Sequence, residues 1–278
     1  MRIVLLLLAV SLCPFARAAE VTIATANPAG TYFLVGSALN SILESDHDVN
    51  LDVMETAGLG REPAVASEWK GPALPSIQSD ILAERRGRLD SPDLKGLQGI
   101  AVLFQEYTQI IVRSKSRIQR PLNLVGRRLY MGAPGSGSRK NATDILAAMG
   151  VQPGDYELVE DYSSTDAAIQ GLREADIDAV ITTNSRLLTH NPAQGADLEL
   201  VSLPSAAQER IRGVNRLYSF ADVENTDGSP ATLMTTRAVL VTARSESGID
   251  LHRCSSRPCW PRSMNGWSWR SRGGRAPI

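Results

Sequence analysis

From Val21 onward, short apolar runs alternate with stretches of helical period, and that alternation restricts the chain to an α/β fold of βα units around a largely parallel sheet. "VTIAT" (Val21 to Thr25) has strand composition and "NPAG" is a turn. The segment from Thr31 then places Val35, Ala38, Leu39 and Ile42 at i, i+3, i+4 and i+7, which predicts a helix with those residues on its buried face. "NLDVME" reads as the next strand. The middle of the chain repeats the pattern: "RRLYMG" as strand, "APGSGS" as turn, then a helix with Ala142, Ile145, Leu146 and Met149 inward. Gly150 falls in the C′ position that stops such a helix. "YELVED" is the following strand, a helix opens with Ser163 and Asp166 at capping-box spacing, and "IDAVITT" is a buried strand. Two such blocks joined by the extended "QIIVRS" (Gln109 to Ser114) predict two α/β lobes, and "TTRAVLVTA" (Thr235 to Ala243) is placed to return the chain to the first.

With 278 residues, 43% apolar and 21% charged, the chain is long enough for two modest cores. Its first residues carry Arg2, an apolar run from Ile3 to Leu12, and Ala16-Arg17-Ala18, so 1–18 read as a secretory signal peptide and the protein as exported. The apolar run is too short for a membrane span. Of three cysteines, Cys13 lies in that leader and Cys254 and Cys259 near the other end, with neither a disulfide framework nor zinc-type spacing. Charge is uneven: six Arg and no acidic residue follow position 250, two Arg lie in the leader, and the whole chain is −1, so 19–250 carries −9. An acidic body argues against nucleic acid as a partner.

The turn "MGAPGSGSRK" has the glycine gap of a phosphate-cradling loop, but Ser138 and Arg139 stand where that loop needs Lys and then Ser or Thr. Nucleotide hydrolysis is therefore not expected. A helix N-terminus still offers free N–H groups and a partial positive charge to an anion, with Ser136 and Ser138 adding hydroxyls; plain N-capping accounts for the same serines. "NPAGTYFLVG" supplies a second such end at Gly30 and Thr31. In open α/β sheets ligands sit beyond the carboxyl ends of strands, where both turns fall, so the two ends facing one cleft would clamp an anion. Hydrolase chemistry finds no G-x-S-x-G and no H-E-x-x-H. His47, His190 and His252 are isolated in polar contexts, Asp176 and Asp178 read as turn residues, and the Asn141-Ala142-Thr143 sequon falls on a helix.

The stretches "ATANPAGTYFLVGSALNSIL", "METAG", "IQSDI", "LQGIAVLFQEYTQIIVRSKSRIQRPLNLVGRRLYMGAPGSGSRKNATDILAAMGV" and "AAIQGLREADIDAVITTNS" resemble, in that order, the TAXI family of solute receptors for TRAP transporters. The resemblance covers most of 19–250. It implies a two-lobe periplasmic binding protein fold with two crossovers, a small ligand enclosed between lobes, delivery to an integral membrane TRAP permease, and neither catalysis nor a cofactor. Lobe 1 would comprise 19–110 with about 216–250, and lobe 2 would be 111–215. The family's ligands are small carboxylates such as glutamate or 2-oxoglutarate. Carried over by motif, Gly30, Thr31, Tyr32, Thr56, Gly58, Gln78 and Asp80 would line the first-lobe side and Ser136, Gly137 and Ser138 the second. Glu106, Tyr107, Thr182 and Thr183 are secondary candidates, and Tyr32 reads equally well as a core aromatic. A sensory module using the same site, or an exported hydrolase, are the alternative functions.

Two pieces depart from that pattern. Between Gly58 and Ile77 the chain reads "LGREPAVASEWKGPALPS", whose three prolines oppose the helix expected there. Beyond Asp250 a basic tail without helical period, 251–278, replaces amphipathic helices. All four tryptophans (Trp69, Trp260, Trp267, Trp269) lie in these pieces. The expectation is that both, about 59–76 and 251–278, are read in a shifted frame, leaving the fold incomplete at its C-terminus. A diverged loop and a basic tail for an acidic surface are the rival readings.

Overall fold

The computed structural model describes residues 21–25, 30–47, 49–56, 73–87, 97–186, 188 and 197–243. The leader, Gly58, His190, His252, most of the unusual 59–76 segment and the tail 251–278 lie outside the described residues.

The elements, in chain order, are β1 (Val21–Thr25), α1 (Thr31–His47), β2 (Leu51–Glu55), β3 (Ala73–Gln78), α2 (Ser79–Gly87), β4 (Leu97–Arg113), β5 (Arg128–Tyr130), α3 (Gly137–Ala148), β6 (Glu157–Leu158), α4 (Thr165–Arg173), β7 (Ala179–Asn184), β8 (Leu198–Leu200), α5 (Ser205–Val214), β9 (Ser219–Glu224) and β10 (Pro230–Ala243). The strands form one mixed sheet in the order β2-β1-β3-β10-β4-β7-β5-β6, with β8 on β4 and β9 on β10. Strands β1, β2 and β3 are mutually parallel, as are β5, β6 and β7. Between these two parallel blocks run the long strands β10 and β4, antiparallel to each other and to the strand each meets on its far side. The stretch "QIIVRS" thus begins with the last five residues of a 17-residue strand, and Ser114 follows its end. "TTRAVLVTA" ends β10, where Ala238 to Leu240 pair back onto Gln78 to Ser76 of β3.

In the second block the sheet is buried on both faces, because successive residues of β4 and β7 point to opposite sides. Ile110, Val112, Ala179 and Ile181 pack with Ala142, Ile145, Leu146 and Met149 of α3, the helix face expected from spacing. Ile111 and Val180 pack on the other face with Ala168, Ile169 and Leu172 of α4. Gly150 has φ +77°, the left-handed conformation that ends α3. The cap of α4 is Ser164 rather than Ser163: its side chain accepts the Ala167 N–H, which leaves Asp166 in the first turn, where a negative charge suits the helix dipole. "YELVED" contributes only Glu157 and Leu158 to the ladder, both exposed at the sheet edge.

The first block departs from its predicted face. On α1 it is Gly36 that is buried, while Ile42 is 47% exposed. A side chain at Gly36 would stand 3.0 Å from Thr25 Cγ2 and 3.3 Å from Val53 Cγ1, so the glycine lets the helix lie close on β1 and β2 and turns Leu39 and Leu43 toward the sheet. The smaller clusters here join Ile23, Leu51 and Leu240, and Ile77, Ile81, Leu82 and Val241. Residues 73–76 of the unusual segment are a regular part of β3, and Pro75 is buried at the point where the strand changes partner from β1 to β10. Lacking an N–H, proline is tolerated where a ladder is interrupted.

Leu146→Ala should destabilise the protein by about 2–5 kcal/mol and Ile42→Ala by no more than about 0.5 kcal/mol, as read by urea unfolding. Equal losses would mean that α1 packs on the face its periodicity suggests.

Candidate functional site

Of the sequence candidates, Tyr32, Gln78 and Glu106 gather where β4 passes between the two blocks. On β4, Glu106 faces Thr236 of β10 and Tyr107 faces both Thr235 of β10 and Asn184 of β7. Glu106 is only 3% exposed. Helix α1 begins over it: the Tyr32 hydroxyl donates to Glu106 Oε2 at 2.8 Å, and the Tyr32 ring meets Phe104 edge-on at 5.2 Å. From the end of β3, Gln78 Nε2 donates to the same Oε2 at 3.1 Å. Tyr32 is half-buried and touches a carboxylate through its hydroxyl and an aromatic through its ring, outside the buried core. Burial pushes the Glu106 carboxyl up from 4.5 to about 7, against the opposing hydrogen bonds of Tyr32 and Gln78 and with a further push from the charge of Asp80.

The two helix starts reach one strand end. Thr31 Oγ1 lies 2.9 Å from Ser185 Oγ, just past β7. At α3, Ser138 Oγ accepts the Thr183 N–H at 2.9 Å, and Thr183 Oγ1 meets Thr108 Oγ1 at 2.9 Å. Ser136 is the N-cap of α3, its side chain accepting the Arg139 N–H, and its carbonyl takes the Lys140 N–H. The Gly137 and Ser138 N–H groups have no acceptor among the described residues. Gly30 accepts the Leu34 N–H as the first turn of α1 closes. Thr56 gives both its N–H and its hydroxyl to the Thr25 carbonyl, which ties the end of β2 to β1. Of the secondary candidates, Thr182 is buried in β7, and Tyr107 is half-buried against the α4-side core.

Asp80 belongs to a neighbouring polar cluster. Fully buried at the start of α2, it accepts from Thr236 Oγ1 at 3.0 Å and from the Tyr218 hydroxyl at 3.1 Å. Lys140 of α3 lies 3.8 Å from Asp80, 3.3 Å from Glu84 and 2.7 Å from Asp144. Tyr218 also contacts Asp144 and Asn141, and Asn141 Nδ2 donates to Thr183 Oγ1 at 3.2 Å. Burial raises the Asp80 carboxyl, with Lys140 the chief opposing influence. Burial pulls the Lys140 ammonium down, but Asp144, Asp80 and Glu84 outweigh it and hold it above its usual value.

Several of these residues escape a reading of the sequence. Lys140, Asp144 and Tyr218 carry no motif, and Tyr218 stands 138 positions from Asp80, so only folding brings them together. Asn141 is buried, so its sequon is a hydrogen-bonding position and not a glycan acceptor. Asp178 does behave as a strand-start residue: it accepts the Arg128 N–H at 2.9 Å and pairs with Arg113 at 3.5 Å, joining β7 to β5 and β4.

Two parallel blocks joined by two long antiparallel strands, with polar groups collected at the junction, define the mixed α/β two-lobe fold of periplasmic binding proteins. The chain belongs to the NMT1-like family, whose sequence model matches residues 23–212. Among solved structures it is similar to the GluR0 ligand-binding core in complex with L-glutamate, at 10% identity and a TM-score of 0.51 over 84% of this chain and 87% of that one. The cofactor-binding domain of the Cbl transcriptional regulator gives 12% and 0.51 over 82% of each chain. The periplasmic aliphatic sulphonate binding protein SsuA of Escherichia coli gives 14% and 0.49, with 82% of this chain covering 62% of that one.

Because the folded state holds a proton on Glu106 that the unfolded chain releases near 4.5, this residue makes stability fall as pH rises from about 4.5 to about 7. Urea midpoints across that window should show the decline in the parent and a flatter profile in Glu106→Gln. Parallel profiles would show that Glu106 ionises at the same pH folded and unfolded.

Proposed function

We propose that this chain is the extracytoplasmic solute receptor of a TAXI-type TRAP transporter, working in the periplasm. It captures a small carboxylate, such as glutamate or a dicarboxylate, between two lobes and delivers it to an integral membrane permease. The observation that carries this reading is the pair of helix N-termini meeting at residues 183–185, α1 through Thr31 and α3 through Ser138. The N–H groups of Gly137 and Ser138, left over by the Ser136 cap, are the donors for the anion, supported by the partial positive charge of α3. In this reading lobe 1 comprises 19–110 with about 216–250, lobe 2 is 111–215, and β4 and β10 are the two connections. Closing the lobes excludes water, which strengthens each N–H contact to the ligand. The L-glutamate held by the similar GluR0 core, and the leader-like first 18 residues, support the same assignment. Thr31, Gln78 and Tyr32 then serve the first-lobe wall, and the chain carries out no catalysis.

A sensory binding module would use the same site, and the likeness to a transcriptional regulator's cofactor-binding domain favours keeping that second reading. A permease gene beside this one decides for transport.

Isothermal titration of the full chain with L-glutamate tests the anion site. Ser138→Asp puts a carboxylate beside the free N–H groups while suiting the helix start, so it should weaken binding by roughly tenfold or more with the fold retained. Equal affinities would reduce the turn to a helix cap.

A further inference from the structure

Among the described residues, the ion pairs that join the two blocks all run through one side chain. Lys140, in the first turn of α3, lies 3.8 Å from Asp80 Oδ2 and 3.3 Å from Glu84 Oε2. Both acids belong to α2, whose Ile81 and Leu82 pack on Ile77 of the first block. The other ion pairs between described residues stay within 113–212. A hydroxyl crosses beside Lys140. Tyr218 is buried in the core built on α3 and α5, so it moves with the second block, and its hydroxyl lies 3.1 Å from Asp80 Oδ2.

Each side of this contact keeps partners of its own when the blocks part. Lys140 has Asp144 at 2.7 Å, one turn on along its own helix, and the Tyr218 hydroxyl at 3.2 Å. Tyr218 has one proton, which serves either Asp80 or Asp144, so it too has an acceptor in its own block. Asp80 keeps the Thr236 hydroxyl at 3.0 Å, from the strand that pairs with β3. The tie inside the second block is made differently: Asp178 is the one carboxylate that Arg113 and Arg128 meet among the described residues. Position matters as well. Thr236 stands opposite Glu106 on the two connecting strands, which fixes Asp80 beside the connection. Hydrogen bonds fail beyond about 3.5 Å, so a rotation that draws α2 from α3 by roughly 1 Å already breaks the Tyr218 contact.

We propose that Lys140 and Tyr218 form a latch on Asp80 and Glu84, a set of contacts that closure of the lobes makes and opening breaks. The proposal rests on the lobe closure in the reading above, though not on the identity of the solute. The cation and the hydroxyl are handed from Asp144 to α2 as the lobes meet and return to Asp144 as they part. Part of the closed population is then held by the protein itself, which lowers what the solute must supply to close the lobes. Lys140 is a positioning residue here and does not touch the solute.

Small-angle X-ray scattering of the full chain without added solute tests the latch, with circular dichroism to establish the fold of each variant. Lys140→Met keeps the apolar stem and removes the charge, and should raise the radius of gyration by roughly 5% over the ~19 Å of a compact chain of this length. Tyr218→Phe retains the ring in its core and should raise it by a smaller step, whereas Lys140→Arg keeps the charge and should match the parent. Ser185→Trp is the control: an indole does not fit against Thr31 and wedges the lobes apart whatever the latch does. If Ser185→Trp expands the protein and neither Lys140→Met nor Tyr218→Phe does, the latch is overturned and lobe closure stands. If none of the three expands it, lobe closure is overturned as well. Should Lys140→Met fail to fold, Tyr218→Phe decides alone.

Discussion

The pairing of β4 with β10 is the constraint on which the rest depends. Residues 97–108 of one run antiparallel to 234–243 of the other, and each strand then passes its far edge to a parallel block. A parallel block needs helices on its faces and cannot be closed by a short turn, so each βα block is a unit by itself. What unites them is two strands long enough to belong to both. The register of that pairing sets Glu106 beside Thr236, and its neighbour Tyr107 beside the end of β7.

The junction is unusually polar for its burial. Glu106 and Asp80 are 3% and 0% exposed, yet they are handled differently. Asp80 has a cation within reach in Lys140, two hydroxyl donors, and a place at the start of α2. Its cluster crosses from α2 to α3 and reads as a structural tie between the blocks. Among the described residues Glu106 has two neutral donors on one oxygen and no ion pair. Removing a carboxylate from water is costly unless it is paired, so Asp80 sits within reach of a cation while burial makes Glu106 keep its proton to about pH 7.

The repeating order of strand, turn and helix, the inward face of α3, the Gly150 stop and the two helix starts were all legible along the chain, because each depends on residues within about a turn or two of one another. The face of α1 was not. Apolar spacing there fits two neighbouring stripes, and only the close approach of Gly36 to Thr25 and Val53 selects one. The cap of α4 moved by one residue for a similar local reason, since adjacent serines offer the same chemistry and backbone geometry chooses between them. Gln78 stood out through its motif, but its partnership with Glu106 spans 28 positions and has no sequence signature.

By itself, then, the sequence determined an α/β chain of two βα blocks, with glycine and serine turns at helix starts and an acidic body. Periodicity and turn chemistry are short-range properties that a linear order retains. Only the tertiary structure decided that both helix starts meet residues 183–185, that Lys140, Asp80 and Tyr218 share one buried cluster, and that Tyr32 and Gln78 converge on Glu106. Those facts depend on strand register and on which groups exclude water from one another. Both are set by packing between segments far apart in the chain.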